Sequence, residues 1–292
     1  MNGRGTRGTL FLEEAEVIAH EPHAAQQFVL RLSAPKTALR ARPGHFVHIQ
    51  CHPAIPMRRP MSVMLADRAL GRIDILYKVH GLGTELLAKR APGETLSLLG
   101  PIGVPFKLSG YRRRPLLIGG GVGIPPMLFL AQHLRTQTDC RPFAILGSEL
   151  PFPFKPRPSR FMVPGLPAEV IAAMPLLEDW EIASRLTSLR GFPGCFEGYV
   201  TDLARRWLRP LDAGGRADIE LFACGPTAML KSVARLSEEY ELPCQLSLEE
   251  YMACAVGACA GCTVGIRTPA GPAMKRVCVD GPVFEAQDVL FA

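Results

Sequence analysis

The stretch "PLLIGGGVGIPPMLFLAQHLR", residues 115–135, decides the fold class of this chain. Its first apolar residues predict a buried strand, its glycines a tight turn and its last residues an amphipathic helix. Pro125 and Pro126 suit the start of a helix, where their missing N–H groups leave no hydrogen bond unmade. Because backbone amides in such a turn can approach a pyrophosphate, the stretch predicts a nucleotide-binding α/β domain.

A second pair of elements lies farther along the chain. "DIELFACGP", residues 218–226, predicts a strand that ends in a turn, and "TAMLKSVARLSEEY", residues 227–240, predicts a helix. Strands that alternate with helices indicate a parallel sheet, so we expect the α/β domain to span residues 111–242. The "ACGP" turn should lie at the carboxyl edge of that sheet, where open α/β folds bind ligands. Cys224 is interpreted there either as a thiol beside a nicotinamide ring or as a buried structural cysteine.

The glycine turn differs from the G-x-G-x-x-G dinucleotide fingerprint. Counted from Gly119 or from Gly121, the final position is Ile124 or Pro126. A tight turn with a purely structural role is therefore the alternative.

Residues 8–110 have a different pattern. Short alternating or β-branched runs such as "FVLRL", "GHFVHIQ" and "RIDILYKVH" are separated by Pro and Gly at strand-length intervals, which predicts an antiparallel barrel. Within it, "RRPMSV" (58–63) offers a guanidinium for a diphosphate, and "LYKVHGLGT" (76–84) ends in a turn that can present amides and a hydroxyl to phosphate. The alternative is that Arg58 and Arg59 are surface charges and that "GLGT" caps the helix that follows.

The C-terminal segment, residues 243–292, holds five of the nine cysteines. Four of them follow the pattern C-x4-C-x2-C-x15-C: Cys254, Cys259, Cys262 and Cys278. The first three have the plant-type spacing of a two-iron, two-sulfur (2Fe-2S) cluster. The small residues of "CAVGACAGC" let backbone N–H groups approach the sulfurs, so the segment is predicted to be a small 2Fe-2S domain.

Structural zinc and incidental cysteines are the competing interpretations of this segment. Zinc favours paired cysteines on two separate arms, whereas three of the candidate ligands here share one loop. The isolated cysteines are expected to be small buried hydrophobes. They are Cys51, Cys140, Cys195 and Cys244.

The composition agrees with a globular chain. Of 292 residues, 48% are apolar and 21% are charged, which is enough for a substantial core in two or three domains. The formal charge of +6 comes from scattered arginines, so a solvated surface is favoured over nucleic-acid binding. The N-terminal residues and the uncharged stretch 115–131 predict neither a secretory signal nor a membrane span. Nine cysteines without export features favour a reducing compartment, the cytoplasm.

The order of the motifs "RPMS", "GLGT", "GPIGVPF", "GGGVGIPP" and "ACGP" resembles the ferredoxin–NADP reductase superfamily. With "CAVGACAGC" and "VCVDGPVF" at the C-terminal end, the chain is similar to the electron-transfer subunits of the two-subunit, NAD-linked dihydroorotate dehydrogenase. The resemblance covers nearly the whole chain. Met61 stands where many reductases of the superfamily carry an aromatic residue, and an aliphatic residue there is typical of this branch. The implied fold is an antiparallel FAD-binding β-barrel, a parallel-sheet NAD-binding α/β domain and a small C-terminal 2Fe-2S domain.

The resemblance also implies which residues hold the cofactors. The FAD residues, which line the flavin, its ribityl chain and its phosphates, are Arg59, Pro60, Met61, Ser62, Leu76, Tyr77, Lys78, Gly83 and Thr84. The NAD residues are Gly119, Gly120, Gly121, Gly123, Cys224, Gly225 and Pro226. The cluster ligands are the four cysteines of the C-x4-C-x2-C-x15-C pattern. Ser62, near the reactive nitrogen of the flavin, and Cys224 are the candidate catalytic residues.

The chemistry of the family is implied as well. Dihydroorotate reduces FMN in a separate catalytic subunit, single electrons cross the cluster to FAD, and FAD passes hydride to NAD⁺. FAD stands between the other carriers because nicotinamides exchange two electrons as hydride, whereas the cluster accepts one. The implied partner is the FMN-containing catalytic dihydroorotate dehydrogenase subunit of pyrimidine biosynthesis, in a heterotetramer of two catalytic and two electron-transfer subunits.

One segment departs from the family pattern. Residues 149–167 contain six prolines and no periodicity, which predicts a loop or insertion near the strand end that selects NAD or NADP. Glu149 would repel a 2′-phosphate, whereas Lys155, Arg157 and Arg160 would attract one. The sequence therefore leaves the choice between NAD and NADP open.

Two other functions fit the motifs. The first is a reductase of the same fold that serves a different oxidoreductase, such as a sulfhydrogenase, a glutamate synthase relative or a ring-hydroxylating oxygenase. The second is a zinc-stabilised binding protein whose glycine turns are structural.

Overall fold

The computed structural model of the chain describes residues 10–108, 110 and 112–291, and the predicted domain limits at residues 8, 111 and 292 lie outside them. The described residues divide into two compact units. The first contains the residues up to Phe106, Leu248–Val283 and the residues from Val289 onward. The second contains Lys107–Ser247 and Phe284–Asp288.

The helices and strands have the following bounds. The strands are β1 (Phe11–His23), β2 (Gln27–Ser33), β3 (Phe46–Ile49), β4 (Arg59–Ser62), β5 (Leu65–Asp67), β6 (Arg72–Lys78), β7 (Thr95–Ile102), β8 (Arg114–Gly120), β9 (Phe143–Gly147), β10 (Arg157–Pro158), β11 (Ala172–Ala173), β12 (Ala183–Ser188), β13 (Phe196–Glu197), β14 (Ile219–Cys224), β15 (Cys244–Ser247), β16 (Thr263–Thr268), β17 (Gly271–Arg276), β18 (Val283–Glu285) and β19 (Val289–Leu290). The α-helices are α1 (Pro35–Arg40), α2 (Leu82–Leu87), α3 (Ile124–Leu134), α4 (Pro175–Asp179), α5 (Val200–Leu208), α6 (Ala213–Arg216) and α7 (Thr227–Glu239). Short 3-10 helices are Ala24–Gln26, Gly121–Gly123 and Ala286–Asp288.

The N-terminal part of the first unit is a curled antiparallel sheet. Within the described residues it has seven strands in the order β4-β3-β7-β1-β2-β6-β5. The residues that follow β4 link strands from opposite sides of the sheet. The Val63 N–H donates to the carbonyl of His45, just before β3, and the Met64 N–H donates to the carbonyl of Asp74 in β6. Alternate apolar residues fill the interior and are fully buried: Ala15, Val17, Leu30, Leu32, Ile73 and Ile75. The predicted antiparallel barrel is confirmed as this curled sheet.

The cysteine-rich segment packs on the barrel within the same unit. Strands β17, β16 and β19 form a small antiparallel sheet in that order. Beyond it, Pro282 forms a bridge with Val104 of the "GPIGVPF" stretch. A β-carbon at Gly103 would stand only 2.4 Å from Pro282 Cδ. Glycine at position 103 therefore lets the C-terminal segment approach the barrel backbone.

The second unit is built on a parallel sheet. Within the described residues its order is β13-β12-β9-β8-β14-β15-β18, and the pairs from β13 to β15 are parallel. Leu116, Leu117 and Ile118 in β8 are fully buried, as expected for a central strand covered on both faces. The predicted parallel-sheet domain is confirmed, and "PLLIGGGVGIPPMLFLAQHLR" forms β8, a 3-10 turn and α3.

The proline-rich segment is anchored by a buried carboxylate. Glu178 of α4 has no exposed surface. Its oxygens accept hydrogen bonds from Ser159 Oγ (2.7 Å) and from the Arg160 N–H (3.0 Å). Arg185, also buried, donates from Nη2 to the Phe161 carbonyl (2.7 Å). These side-chain contacts and the short β10–β11 pair hold the segment in place. Because it is not held by a long helix or strand, its sequence needs no hydrophobic periodicity.

No helix in the described part of the chain combines the length and the apolar character that crossing a bilayer requires.

Candidate functional site

The four predicted cluster cysteines lie together at one end of the small antiparallel sheet. Cys262 and Cys278 are buried, Cys254 is half-buried and Cys259 is exposed. The side chains of Cys254 and Cys259 contact each other, as do those of Cys262 and Cys278. The thiols thus form two pairs, and the charge of Cys254 also acts on Cys278, so the pairs lie close together although residues 254 and 278 are far apart in the sequence.

The loop between the first three cysteines is shaped by residues with positive φ. These are Ala255 (56°), Gly257 (82°) and Ala260 (54°). A left-handed conformation costs a non-glycine residue about 1–2 kcal/mol, so the two alanines hold strain in the loop. A β-carbon at Gly257 would stand 2.5 Å from Val279 Cγ2, so glycine lets the loop lie close to the segment around Cys278.

Backbone N–H groups are directed at the sulfurs. The N–H of Cys259 lies 3.4 Å from Cys254 Sγ, and the N–H of Gly261 lies 3.4 Å from Cys259 Sγ. Burial by itself raises the pKa of Cys254, but N–H donors from Cys259 and Val256 outweigh it and lower that pKa to about 7. Cysteine binds metal as the thiolate, so the lowered pKa of Cys254 favours metal binding by the loop.

Cys278 has the opposite tendency. Burial, then the hydrogen bond and charge of Cys262, raise the pKa of Cys278 to about 12. A thiol of this kind ionises at neutral pH only when a nearby cation offsets its charge, so Cys278 needs a bound metal to become a thiolate.

The pairing bears on which metal group fits. Within residues 10–108, 110 and 112–291, no three histidine, cysteine or acidic side chains converge on the position of a single metal ion. A 2Fe-2S cluster instead shares four thiolates between two irons. Four thiols with N–H donors around them match the ligand set of that group.

The two predicted FAD motifs meet at Arg59 and Gly83. Arg59 begins β4, and its Nη1 donates to the carbonyls of Met57 (2.8 Å) and Arg58 (3.2 Å). The guanidinium also lies against Gly83 in α2, where a β-carbon would stand 2.9 Å from Nε and 3.0 Å from Nη2. Glycine at position 83 therefore leaves room for the guanidinium beside α2. A guanidinium held in this way fits the diphosphate of FAD.

Strand β4 positions the rest of "RPMS". It is the edge strand of the sheet, which is where a proline such as Pro60 is tolerated. Met61 pairs with Val47 and is 9% exposed, whereas Ser62 pairs with Phe46 and is half-buried. Successive side chains of a strand point to opposite faces, so Met61 and Ser62 do not face the same way.

Tyr77 of β6 is held by a residue that the sequence analysis missed. Its ring stacks on Phe28 (5.5 Å between centroids, 14° between planes) and its hydroxyl lies 2.9 Å from His20 Nε2. His20 Nδ1 in turn lies 2.8 Å from the Arg90 carbonyl. Burial, and then the charge of Cys51, raise the pKa of the Tyr77 phenol. Nothing in the sequence near position 20 signals this contact, because it joins strands β1 and β6 through space.

The neighbours of Tyr77 differ in exposure. Leu76 is buried and Lys78 is exposed. The Thr84 hydroxyl accepts the His80 N–H (2.6 Å) and donates to the Gly81 carbonyl (3.0 Å), so it closes the turn before α2. The start of α2 at Gly81 has no side-chain cap, and a phosphate contact by the Thr84 hydroxyl stays a prediction.

The two predicted NAD turns lie side by side in the second unit. Gly119 of β8 pairs with Cys224 of β14, at the carboxyl ends of both strands. A β-carbon at Gly123 would stand 2.2 Å from the Cys224 carbonyl oxygen. Gly121 has a φ of 54°, and a β-carbon there would meet no atom within 4 Å. Gly123 is therefore required for packing, whereas Gly121 leaves open space beside the turn.

Two further features of this pocket were not evident from the motifs. Cys224 is 1% exposed, which favours the packing interpretation of its thiol. Met229 of α7 lies over both turns, since β-carbons at Gly120 and Gly225 would stand 2.5 Å from its Sδ and Cε respectively. The only local signal for Met229 is its place one turn after "CGP".

The sequence matches two protein-family models. Residues 10–106 match the oxidoreductase FAD-binding domain, and residues 249–290 match the iron-sulfur cluster binding domain of dihydroorotate dehydrogenase B. The first range contains both FAD motifs, and the second contains all four cluster cysteines.

Named relatives align over almost the whole chain. A protein of Geobacillus sp. (strain WCH70) named dihydroorotate dehydrogenase B (NAD(+)), electron transfer subunit, is 34% identical over 284 residues, covering 95% of this chain and 98% of that protein. A protein of the same name from Desulforamulus reducens is 30% identical over 285 residues, with the same coverage.

Solved structures share the fold. The structure of an NADH-dependent reduced ferredoxin-NADP oxidoreductase, described for flavin-based electron bifurcation, is similar with a TM-score of 0.75 and 25% identity. It covers 95% of this chain and 90% of its own. Phthalate dioxygenase reductase is similar in fold, with a TM-score of 0.58 and 15% identity over 91% of this chain and 76% of its own.

Proposed function

We propose that this chain, since it belongs to the family of electron transfer subunits of dihydroorotate dehydrogenase B (NAD(+)), carries electrons between NAD⁺ and a partner dehydrogenase. It is an oxidoreductase subunit with an FAD-binding domain and an iron-sulfur domain. The observation that carries the proposal is the arrangement of Cys254, Cys259, Cys262 and Cys278 as two thiol pairs on the face of a flavin-type barrel unit.

Each group of residues has a proposed task. The four cysteines bind a 2Fe-2S cluster, and the N–H groups of the loop stabilise its sulfurs. Arg59 and Gly83 hold the diphosphate of FAD, and Ser62 lies at the reactive edge of the flavin. The glycine turn after β8 and the Cys224–Pro226 turn bind NAD. When bound, FAD exchanges hydride with nicotinamide and single electrons with the cluster.

The preference for NAD over NADP is supported by the proline-rich segment. Arg157 pairs with Asp179 (2.5 Å) and Arg160 donates to the Glu178 carbonyl (2.6 Å), so these two side chains are engaged inside the segment, whereas Lys155 is exposed. Glu149, two residues after β9, is exposed as well. In Rossmann sheets an acid in this region binds the ribose 2′-hydroxyl of NAD, and we propose the same role for Glu149.

The proposed partner is a catalytic dihydroorotate dehydrogenase subunit that contains FMN, in a heterotetramer with two copies of each subunit. The name of the relatives as electron transfer subunits supports a catalytic partner. A cytoplasmic location is proposed as well, because the part of the chain that the structure describes contains no disulfide bond.

Co-expression with a candidate catalytic subunit tests this function. We expect a complex with flavin and iron-sulfur absorbance that reduces NAD⁺ in the presence of dihydroorotate. The chain alone should retain both chromophores and pass electrons from NADH to a dye. A coloured chain that forms no complex and supports no dihydroorotate oxidation would point to a different oxidoreductase partner. A colourless chain with one zinc per molecule would reject the electron-transfer function.

A further inference from the structure

Arg276 joins the two arms of the cysteine site. It is the last residue of β17, two positions before Cys278. Its side chain reaches across to the first arm, where Nη1 donates to the Gly257 carbonyl at 3.0 Å. Gly257 lies in the middle of the loop that carries the other three cysteines, so this one hydrogen bond connects the arms without passing through a cysteine.

Asp280 holds Arg276 in that position. Its carboxylate accepts the Arg276 backbone N–H at 2.8 Å and lies 3.5 Å from Arg276 Nε. The Arg276 carbonyl in turn accepts the N–H groups of Val279 (3.1 Å) and Asp280 (2.8 Å). The chain around Cys278 is therefore a closed turn that presents the guanidinium to the loop in one orientation.

The hydrogen bond acts on a peptide group of the cysteine loop. The Gly257 carbonyl and the Ala258 N–H belong to the same peptide unit, and that unit lies between Cys254 and Cys259. A cationic donor on the carbonyl polarises the peptide and strengthens its N–H as a donor. In the same loop the Cys259 N–H lies 3.4 Å from Cys254 Sγ.

We propose that Arg276 is a positioning residue that raises the reduction potential of the cluster by acting through the Gly257–Ala258 peptide of the loop that carries Cys254 and Cys259. This rests on the proposed function, since it needs a cluster at the four cysteines. Reduction adds negative charge to the cluster, and hydrogen bonds to its sulfurs stabilise that charge. The side chain of Arg276 is 40% exposed, so its bare charge is partly screened by water and the hydrogen bond carries the larger effect.

Three variants of the full chain test the proposal. Arg276→Gln removes the cation and weakens the donor, whereas Arg276→Lys keeps a cation but loses the planar fork. The matched control is Arg267→Gln, which removes the same charge from an exposed position on β16 of the same domain. The midpoint potential of the cluster is measured by a redox titration followed by electron paramagnetic resonance, together with the g values of the reduced cluster.

We expect the Arg276→Gln potential to be more negative than that of the parent, with altered g values, and the Arg276→Lys potential to fall between the two. The control should keep the parent potential and spectrum. Equal potentials for Arg276→Gln and Arg267→Gln would overturn the proposal. If the glutamine variant does not retain iron, a lysine variant with the parent potential would overturn it instead. A parent chain with no 2Fe-2S spectrum would reject the proposed function, whereas a normal parent spectrum without the shift would reject only the role of Arg276.

Discussion

The guanidinium of Arg59 lies against Gly83, 24 positions away in the sequence, and a β-carbon at position 83 would stand 2.9 Å from its Nε. The contact joins the "RPMS" strand to the "GLGT" turn. These motifs have separate local explanations in the sequence, as surface charges and as a helix cap. Their contact is what the proposed FAD diphosphate site requires, since it brings both motifs to one place.

Gly83→Ala should weaken FAD binding. The added methyl group displaces the Arg59 fork, and a displacement that costs about 1.4 kcal/mol weakens binding tenfold. The flavin content of the purified protein and a fluorescence titration with FAD measure the effect. Leu82→Ala is the control, because Leu82 is the exposed neighbour in the same helix and should leave flavin content unchanged. Full flavin affinity in Gly83→Ala would argue against the proposed diphosphate site.

Cys262→Ser should abolish the cluster. Cys262 is a buried member of one thiol pair, and a hydroxyl is a poor substitute for a thiolate ligand. Iron and sulfide assays should fall from about two of each per chain toward zero, while flavin absorbance remains. Cys195→Ser is the control, since Cys195 lies outside the four-cysteine pattern. Loss of iron in both variants would mean that the effect is general destabilisation.

Gly123→Ala should destabilise the second unit. Its β-carbon would stand 2.2 Å from the Cys224 carbonyl oxygen, so β14 or the turn must move, at a cost of about 1–3 kcal/mol. Gly121→Ala has open space around the new methyl group and should cost only about 1 kcal/mol, from its left-handed φ. Urea unfolding gives both values. If the two substitutions cost the same, the close contact between the turns is not a stability determinant.

Glu178→Ala should be far more costly than Asp179→Ala. Removal of the buried Glu178 carboxylate leaves the Ser159 hydroxyl and the Arg160 N–H without their acceptor, at a cost of about 3 kcal/mol. Asp179 pairs with Arg157 at the surface, where an ion pair contributes about 0–1 kcal/mol. The free energies of unfolding in urea compare the two adjacent acids directly, and equal losses would contradict the anchoring role of Glu178.

Because of His45, the free energy of unfolding should fall as the pH drops below 7. Burial, followed by the charge of Arg42, lowers its pKa to about 4 in the folded protein. The unfolded chain binds a proton near pH 6.5 and the folded chain does not, so stability is retained above pH 6.5 and lost progressively down to pH 4. A shift of this size corresponds to a loss of about 3 kcal/mol. Urea unfolding of the parent and of His45→Gln at pH 7 and pH 4.5 should show a smaller pH dependence in the variant.

Several features of the molecule could be predicted from local sequence. The glycine turn and Pro125 identify a strand, a turn and a helix because consecutive residues are covalently close. The spacing of the cysteines identifies a cluster loop for the same reason, since three ligands within nine residues can bind one two-iron cluster only if small residues let the backbone curl. The alternating runs before Phe106 predicted the antiparallel sheet from the period of two in a strand.

Other features depend on contacts between residues that are remote in the sequence. The His20 contact with Tyr77, the Met229 side chain over the two turns, and the Arg276 hydrogen bond to Gly257 are examples. No local pattern encodes such contacts, because strand order and packing set the distance between elements. The proline-rich segment illustrates the same limit, since the sequence offered Arg157 and Arg160 to a phosphate, whereas folding engages both with Asp179 and Glu178.

The sequence by itself thus determined the fold class and the positions of the four cysteines, and the resemblance of its motifs to a known family indicated the cofactor types. Bond lengths and backbone dihedrals restrict neighbouring residues so strongly that spacing is enough to infer local elements such as the cysteine loop and the glycine turn. Only the tertiary structure decided how the cysteines pair, which glycines are required by packing, and which charged side chains remain exposed at the ligand-binding edges. Those properties arise from close packing between distant segments, where a difference of a few tenths of an ångström separates a contact from a clash.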